Sequence, residues 1–570
     1  MSKAFSILLI LVSPLCILGK EKTEPRTYSK TKYPGQVEEL FQLSISSPIA
    51  MTSDENDFYI IDKDTTKIYR YNLQEKKLVE YLITPGTNPT SVTTDGVFLY
   101  VLDNDEKAIF KVDLKSKETI KKLDIDVDSP LAIAYGDGFL YINDLQKKTI
   151  NKISSDDGTT ISTFLMPTAG KGRATEEYGM VYKNGYLFIT DRNTDTIYQV
   201  YTKTGDVINI YNIPELPFLT GITFFRGELF VLDLERKVVA KINMKAEKTA
   251  YRRNKKTEEV TYKERYKNLG PDQITEIHIA IAYPNNLPNQ DIISIEFTPA
   301  KYEKRKDKWD QPFTYFTFKN IRPGEEVSAE MKVKADIYEI RYFIDPEKVG
   351  PISLIPEEIR EKYTKDDIKY SITDPIIQNA IKEAVGDEKN PYWIARKIYK
   401  YIQEKMHYEL AGGWNIAPTV LKRGSGSCSE YSFVYMAMCR AAGIPTRFAG
   451  SIVIRGDDTS YDDVFHRWVE VYLPNYGWIP VDPSGGDEPE PEKQAEYFGG
   501  LKNRFLITTI GAGSSEYLGW EYNSSSSFKC TGRCKIMTHK AGKWEPIGKR
   551  YEIKNENIFY STEMESKGCH

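Results

Sequence analysis

Phe98-Leu99-Tyr100-Val101-Leu102-Asp103 is an apolar run that stops at a carboxylate and enters the polar turn Asn104-Asp105. Its aromatic and aliphatic side chains, bounded by turn residues, predict a buried strand. The same run stands upstream as Phe58-Tyr59-Ile60-Ile61-Asp62. Downstream it returns as Phe139-Leu140-Tyr141-Ile142-Asn143-Asp144, Tyr186-Leu187-Phe188-Ile189-Thr190-Asp191 and Glu228-Leu229-Phe230-Val231-Leu232-Asp233. The closing aspartates are 41, 41, 47 and 42 residues apart. The surroundings repeat as well. A strand opened by Pro48, Pro89 or Pro130 comes first, and a turn such as Asp95-Gly96 or Lys183-Asn184-Gly185 follows. After the apolar run comes an alternating strand such as Ile109-Phe110-Lys111-Val112.

A period of about 40–45 residues with four short strands is that of a β-propeller blade. One such unit cannot bury both of its faces, so the copies must stack radially. Five copies are counted over 45–249, and Val37 to Ile45 resembles the last strand of a unit that would close the ring from the N-terminal side. The expectation is a ring of five or six blades. None of the seven tryptophans falls in this region, so the array is not of the WD type. It resembles the secreted propellers with NHL-like or YVTN-like repeats. Asp and Asn are ordinary hairpin-turn residues, so turn chemistry rather than metal binding is expected of the strand-ending aspartates. By fold analogy alone, the propeller is expected to display loops for a protein or glycan ligand.

The chain has 570 residues, 40% of them hydrophobic and 28% charged, which implies several globular domains and excludes wholesale disorder or a polytopic membrane protein. Lys plus Arg is 77 against 81 Asp plus Glu, so the basic footprint of a nucleic-acid binder is missing. Six cysteines exclude a disulfide-dense scaffold. Lys3, the apolar run Ala4 to Leu18 and the polar Lys20-Glu21-Lys22 predict a signal peptide over 1–19, the run being too short for a membrane span. Cys16 raises a lipid-anchored alternative, but Ser13-Pro14-Leu15 before it lacks the small residue such anchoring needs. A secreted, periplasmic or cell-surface protein follows, with no integral membrane segment after cleavage. Residues 20–44 read as a linker with the ring-closing strand.

Over 250–345, Ile277, Ile279, Ile281 and Tyr283 alternate with His278, Ala280 and Ala282, and Val327, Ala329, Met331 and Val333 alternate with charged or small residues. This predicts half-buried strands in a small β-sandwich with His278 on the solvent face. Arg252-Arg253-Asn254-Lys255-Lys256 and Lys304-Arg305-Lys306 are expected to be solvated loops.

Chemistry is concentrated in 346–512. Two amphipathic helices are predicted, one between Pro375 and Gly386 and one from Asn390-Pro391 onward. Gly424-Ser425-Gly426-Ser427-Cys428-Ser429-Glu430 follows, with Ser427 and Glu430 forming a capping box. That box puts Cys428 in the first turn of a helix whose run Phe433 to Ala442 is apolar nearly all round, hence central and buried. A thiol there meets the positive end of the helix dipole and unpaired N–H groups, which favour the thiolate and can stabilise an oxyanion. Phe465 to Tyr472 reads as a strand with His466, Trp468, Glu470 and Tyr472 on one face. Gly477 to Pro483 is its hairpin partner after Pro474-Asn475-Tyr476. An odd-length loop or one bulge would bring Asp482 to the face of His466, within diagonal reach. A nucleophile, a base and an orienting acid are thus present in the order Cys428, His466, Asp482. Trp414, upstream of the thiol, is a candidate for the substrate channel or the oxyanion. Cys439 is read as core, as are Trp468 and Trp478.

These segments, together with Arg440-Ala441-Ala442-Gly443-Ile444-Pro445-Thr446-Arg447, resemble the transglutaminase-like superfamily over about 370–510. The resemblance implies an α+β papain-like core in which Cys428, His466 and Asp482 are catalytic, and the preceding β module looks like the domain often found before bacterial members. In animal transglutaminases a Trp directly follows the Cys. Here it is Ser429, so cross-linking specificity does not transfer.

Over 513–570, Tyr517-Leu518-Gly519-Trp520 reads as a last strand and Ser524 to Ser527 as a polar linker into a C-terminal extension. A disulfide between two of Cys530, Cys534 and Cys569 is expected, with a zinc site at Cys530, Cys534 and His539 as the lesser alternative. No motif demands a cofactor. The whole reads as an exported cysteine acyl-transfer enzyme acting on a protein or peptide substrate. The rival is a surface adhesion protein with a non-catalytic transglutaminase-like scaffold.

Overall fold

The computed structural model describes residues 32–170, 177–410, 413–456 and 460–547. The predicted signal peptide, Cys16, Cys569 and His570 lie outside the described residues.

The repeats form five four-stranded antiparallel sheets. Four are continuous in sequence, over 48–83, 89–124, 130–165 and 177–212. The fifth joins Leu219–Phe225, Glu228–Asp233 and Val238–Ile242 to the N-terminal strand Val37–Gln42, with Leu40 opposite Ala240. The ring therefore has five blades, and its last seam is held by backbone hydrogen bonds between distant parts of the chain. Closure in this way removes the edges that an open sheet would expose. The strands Pro48–Ser53, Pro89–Thr94, Pro130–Gly136, Glu177–Lys183 and Leu219–Phe225 are innermost, each packing beside that of the next blade.

The strand-ending aspartates are buried and perform turn chemistry. Asp103 accepts from the N–H of Asn88 at 2.7 Å and of Glu106 at 2.9 Å. Asp233 accepts from Phe218 at 3.0 Å and Arg236 at 2.7 Å. Asp62 and Asp144 bridge the same two loops. Each carboxylate thus ties the loop entering a blade to the turn after its second strand.

The β module is a two-sheet sandwich. One sheet runs Gln290–Thr298, Glu326–Tyr342, Ala250–Pro271, Cys534–Pro546, Ser460–Asp462, and the other Glu303–Lys306, Pro312–Ile321, Ile274–Ala282, Ser524–Cys530. The described part of 513–570 is therefore no separate extension. Ser524 to Ser527, read as a linker, is an edge strand exposed along most of its length, which is why its composition is polar. Tyr517 to Trp520 is a turn closed by Ser515 and Gly519, not a strand. The basic runs are strands rather than loops: Arg252 pairs with Asp291 at 2.7 Å and Lys255 with Asp336 at 2.7 Å, while both basic side chains stay exposed as expected.

The third unit packs the helices Pro375–Val385, Pro391–Lys405 and Cys428–Ala441 against a sheet ordered Gly477–Val481, His466–Leu473, Thr446–Val453, Phe505–Gly511. Cys428–Ala441 is buried from Cys428 through Arg440, as its apolar circumference predicts. One continuous core runs from Tyr186, Ile208 and Tyr211 of the propeller through Tyr342 and Ile344 to Tyr392, Tyr435 and Val471. Trp393 packs on Tyr201 at 4.5 Å, and the buried Arg396 donates to the Val207 carbonyl at 3.2 Å. Among the described residues no helix is long and apolar enough to cross a membrane.

Asp103→Ala leaves two buried N–H groups without their charged acceptor and should cost about 2–4 kcal/mol of propeller stability, read as a lower urea midpoint for the loss of its sheet signal.

Candidate active site

Ser427 caps the buried helix, and its N–H donates to Glu430 Oε2 at 3.2 Å, so the predicted capping box is present at Cys428. Glu430 is wholly buried and does more than cap. It accepts from Arg423 at 2.8 Å and from the backbone and side chain of Asn415 at 2.9 and 3.1 Å. One carboxylate thus fixes the helix start, the glycine-rich approach and the loop that carries Trp414. Gly426 is required in that approach, because a Cβ there would stand 2.9 Å from the Glu430 Cβ.

His466 and Asp482 meet across the hairpin. Tyr472 stands opposite Trp478 and Leu473 opposite Gly477, which leaves Pro474-Asn475-Tyr476 as a three-residue loop. The odd loop length puts Asp482 on the His466 face, and no bulge is needed. His466 Nε2 bonds Asp482 Oδ2 at 2.6 Å. Asp482 Oδ1 accepts from the Ser484 hydroxyl at 2.9 Å and the Gly485 N–H at 2.8 Å. The imidazole also stacks on Trp468, at 5.8 Å, and on Phe505, at 5.5 Å, two rings that touch each other at 5.0 Å. With Nε2 engaged by Asp482, the other ring nitrogen is left for Cys428, and the thiol and imidazole act on each other electrostatically.

The charges follow from this geometry. Burial opposes ionisation of Cys428, yet the His466 hydrogen bond and charge, and then the Arg467 N–H, hold the thiol below its ordinary value. Burial likewise opposes the imidazolium, but Asp482 and Cys428 raise His466 well above the usual histidine range. Burial pushes Asp482 up, and the charge and hydrogen bond of His466 more than offset this, so it lies low. The thiolate–imidazolium pair therefore exists between the lowered thiol value and the raised imidazole value.

Cys428 is only 6% exposed, more enclosed than its glycine-rich approach suggests. Three neighbours escaped the sequence reading. Tyr408 is raised to about 12 by burial and by the Cys428 charge, and Tyr522 is raised for the same reasons, so both phenols feel the charge of the sulfur. Arg467 is completely buried with no carboxylate partner among the described residues. Its guanidinium lies 5.0 Å from the Trp414 ring, 4.5 Å from Tyr522 and 4.3 Å from Phe448. A cation in an aromatic box is stabilised by the ring faces in place of an ion pair. Trp414 is 39% exposed and stacks on Tyr522 at 6.2 Å, so the ring reaches the Cys428 side of the fold while remaining open to solvent. Trp468 is core as expected, whereas Trp478 is half-buried under the Arg447 guanidinium at 4.2 Å. Cys439 is buried mid-helix, and burial raises its thiol far out of the reactive range.

The chain after Asp482 makes an excursion over 483–498 that closes where the Asp482 N–H reaches the Tyr497 carbonyl at 2.9 Å. Its short helix Pro491–Glu496 docks on the propeller. The Glu492 N–H bonds the Pro167 carbonyl at 3.0 Å, the Glu492 carboxylate accepts from the Tyr198 hydroxyl, and Ala495 enters the propeller core. The segment that fixes Asp482 is thus held in part by a blade.

Residues 378–483 match the family described as the transglutaminase-like superfamily, so this stretch is a transglutaminase-like domain. An uncharacterized protein of Haemophilus influenzae is 26% identical over 159 residues, which is 21% of this chain and 43% of that protein. The chain therefore spans less than half the length of that curated relative. Among solved structures, a candidate cysteine protease from Cytophaga hutchinsonii aligns over 53% of this chain and 93% of its own, at 14% identity and TM-score 0.38. Glutaminyl cyclase from Myxococcus xanthus aligns over 36% and 95%, at 12% identity and TM-score 0.32.

Two outcomes follow at the site. Alkylation of Cys428 by iodoacetamide at pH 6 should be fast in the native protein and fall at least about tenfold in His466→Ala, because the lone buried thiol then titrates above its ordinary value. Gly485→Ala should slow the same reaction towards the His466→Ala rate, because its Cβ would stand 2.6 Å from Asp482 Oδ2 and push the carboxylate off the imidazole.

Proposed function

We propose that the protein is an exported cysteine acyl-transfer enzyme acting on carboxamide or peptide carbonyls of protein or peptide substrates. The observation that carries this is the bond from His466 to Asp482 at 2.6 Å, with the Cys428 thiol held low by the same imidazole. Cys428 attacks the carbonyl as thiolate, and the oxyanion develops beside the first-turn N–H groups of the helix. His466 protonates the departing amine, leaving a thioester on Cys428. Neutral His466 then takes a proton from the incoming nucleophile, which attacks the thioester carbonyl and releases the thiolate. Water as nucleophile gives a protease or amidase, and an amine gives transamidation. Asp482 keeps the imidazole oriented and offsets its charge throughout. In this reading Trp414, stacked and half open, is the wall along which the acyl group approaches.

The propeller carries two duties. Its docked face steadies the 483–498 excursion, and its remaining loops are the surface for recognising a protein or glycan partner. The reading of the N-terminal segment as an export signal places this work outside the cytoplasm.

Incubation with peptide-amide libraries, with and without added primary amines, should yield an acyl adduct on the 428-bearing peptide by mass spectrometry. Cys428→Ala should abolish adduct and turnover, and His466→Ala should lower turnover by about 10²–10⁴-fold. Full turnover in Cys428→Ala would return the protein to the adhesion class.

A further inference from the structure

Two cysteines stand apart from this chemistry. Cys530 ends a strand of one sandwich sheet and Cys534 begins a strand of the other, so Thr531-Gly532-Arg533 is a corner by which the chain changes sheets. A second corner, Asp272-Gln273, lies against it, joining Ala250–Pro271 to Ile274–Ala282. The register sets Cys530 opposite Ile274 and Cys534 opposite Pro271. The corners are tied by Thr531 N–H to Gln273 O at 3.1 Å, Arg533 N–H to Asp272 Oδ2 at 2.7 Å and Asp272 N–H to Arg533 O at 3.2 Å.

Both side chains pack on the same end of the sandwich core, beside Ile536. Cys530 Sγ donates to the Gly532 carbonyl at 3.0 Å and Cys534 Sγ to the Asp272 carbonyl at 3.4 Å. The two thiols also act on each other electrostatically. The expected zinc alternative fails here. His539 bonds the Tyr461 hydroxyl at 2.7 Å, five positions along an extended strand from Cys534, and among the described residues no three His, Cys, Asp or Glu side chains are placed to hold a metal.

We infer that Cys530 and Cys534 form a redox modification site, a preorganised dithiol that closes to a disulfide and staples the two sandwich sheets at this corner. The oxidant is a small-molecule or protein disulfide. One protein thiolate attacks it, forming a mixed disulfide and releasing one thiol. The second protein thiolate attacks the protein sulfur of that mixed disulfide, forming the Cys530–Cys534 bond and releasing the other thiol. Two protein thiols are oxidised, one external disulfide is reduced, and the protons pass to the departing thiolates. The Cys534 thiol is pushed up to about 11 by desolvation and by its neighbour, so exchange accelerates as the pH is raised. The staple secures the corner between a strand paired with Ile274–Ala282 and one paired with both Ala250–Pro271 and Ser460–Asp462, the strand just ahead of His466. It is independent of whether Cys428 is catalytic.

The test uses the full-length protein, equilibrated with oxidised glutathione, blocked with N-ethylmaleimide and digested with trypsin without reduction. Cleavage after Arg533 separates the cysteines, so the expected product is the Cys530 and Cys534 fragments joined, lighter by two hydrogens and free of maleimide. The oxidised protein should show a higher urea midpoint than the same protein reduced by a phosphine, and Cys534→Ser should show no such redox-dependent difference. If Cys534→Ser folds poorly, the fragment masses of the native chain decide the matter alone. Full alkylation of both thiols after oxidation, linkage of either to Cys569, or stoichiometric zinc protecting both thiols in the reduced protein would each overturn the inference.

Discussion

A buried sulfur and a buried imidazole are both neutral by default, because neither charge is tolerated away from water. The bond from His466 to Asp482 reverses this at one point of the fold. Asp482 is itself held low by His466 and by the Ser484 and Gly485 donors, so the chain of offsets ends in ordinary backbone N–H groups. Remove the carboxylate and burial favours two uncharged groups with little to offer a carbonyl. The remaining architecture is arranged around keeping that contact in register.

Three units contribute to it. The three-residue hairpin loop sets which face Asp482 occupies. The excursion beyond it is closed by Tyr497 and clamped on a blade through Pro167, Tyr198 and Ala495. The strand bearing His466 follows closely on Ser460–Asp462, which pairs with the sandwich strand Cys534–Pro546. Because one hydrophobic cluster joins the last blades, the end of strand Glu326–Tyr342 and the helices, the propeller is a structural part of the site's support.

How legible this was depended on the range of the interaction. The blades were readable because four of the five are built from contacts within about 40 residues, and the apolar run with its closing aspartate recurs at that spacing. The capping box at Ser427 and Glu430 is equally local, and so is the hairpin that joins His466 to Asp482. Arg467 was passed over because alternation assigns it to the buried face without saying what surrounds it. Its aromatic box draws Trp414, Phe448 and Tyr522 from three separate segments. Glu430 was read as a cap, yet most of its bonds go to Asn415 and Arg423 on the approach to the helix.

The C-terminal segment was misread for the same physical reason. A serine-rich edge strand has the composition of a linker, because most of its side chains face water and its one hydrogen-bonded neighbour is about 250 residues away. The amino-acid sequence alone determined the repeat, the helix start that bears Cys428 and the order of thiol, imidazole and carboxylate, since period, capping and alternation act between near neighbours. Tertiary structure alone decided the number of blades, the strands that complete the sandwich, the enclosure of the sulfur and the seating of the Asp482 excursion on the propeller. Each of those is a pairing between remote stretches, fixed by which surfaces can be buried together rather than by any local preference of the chain.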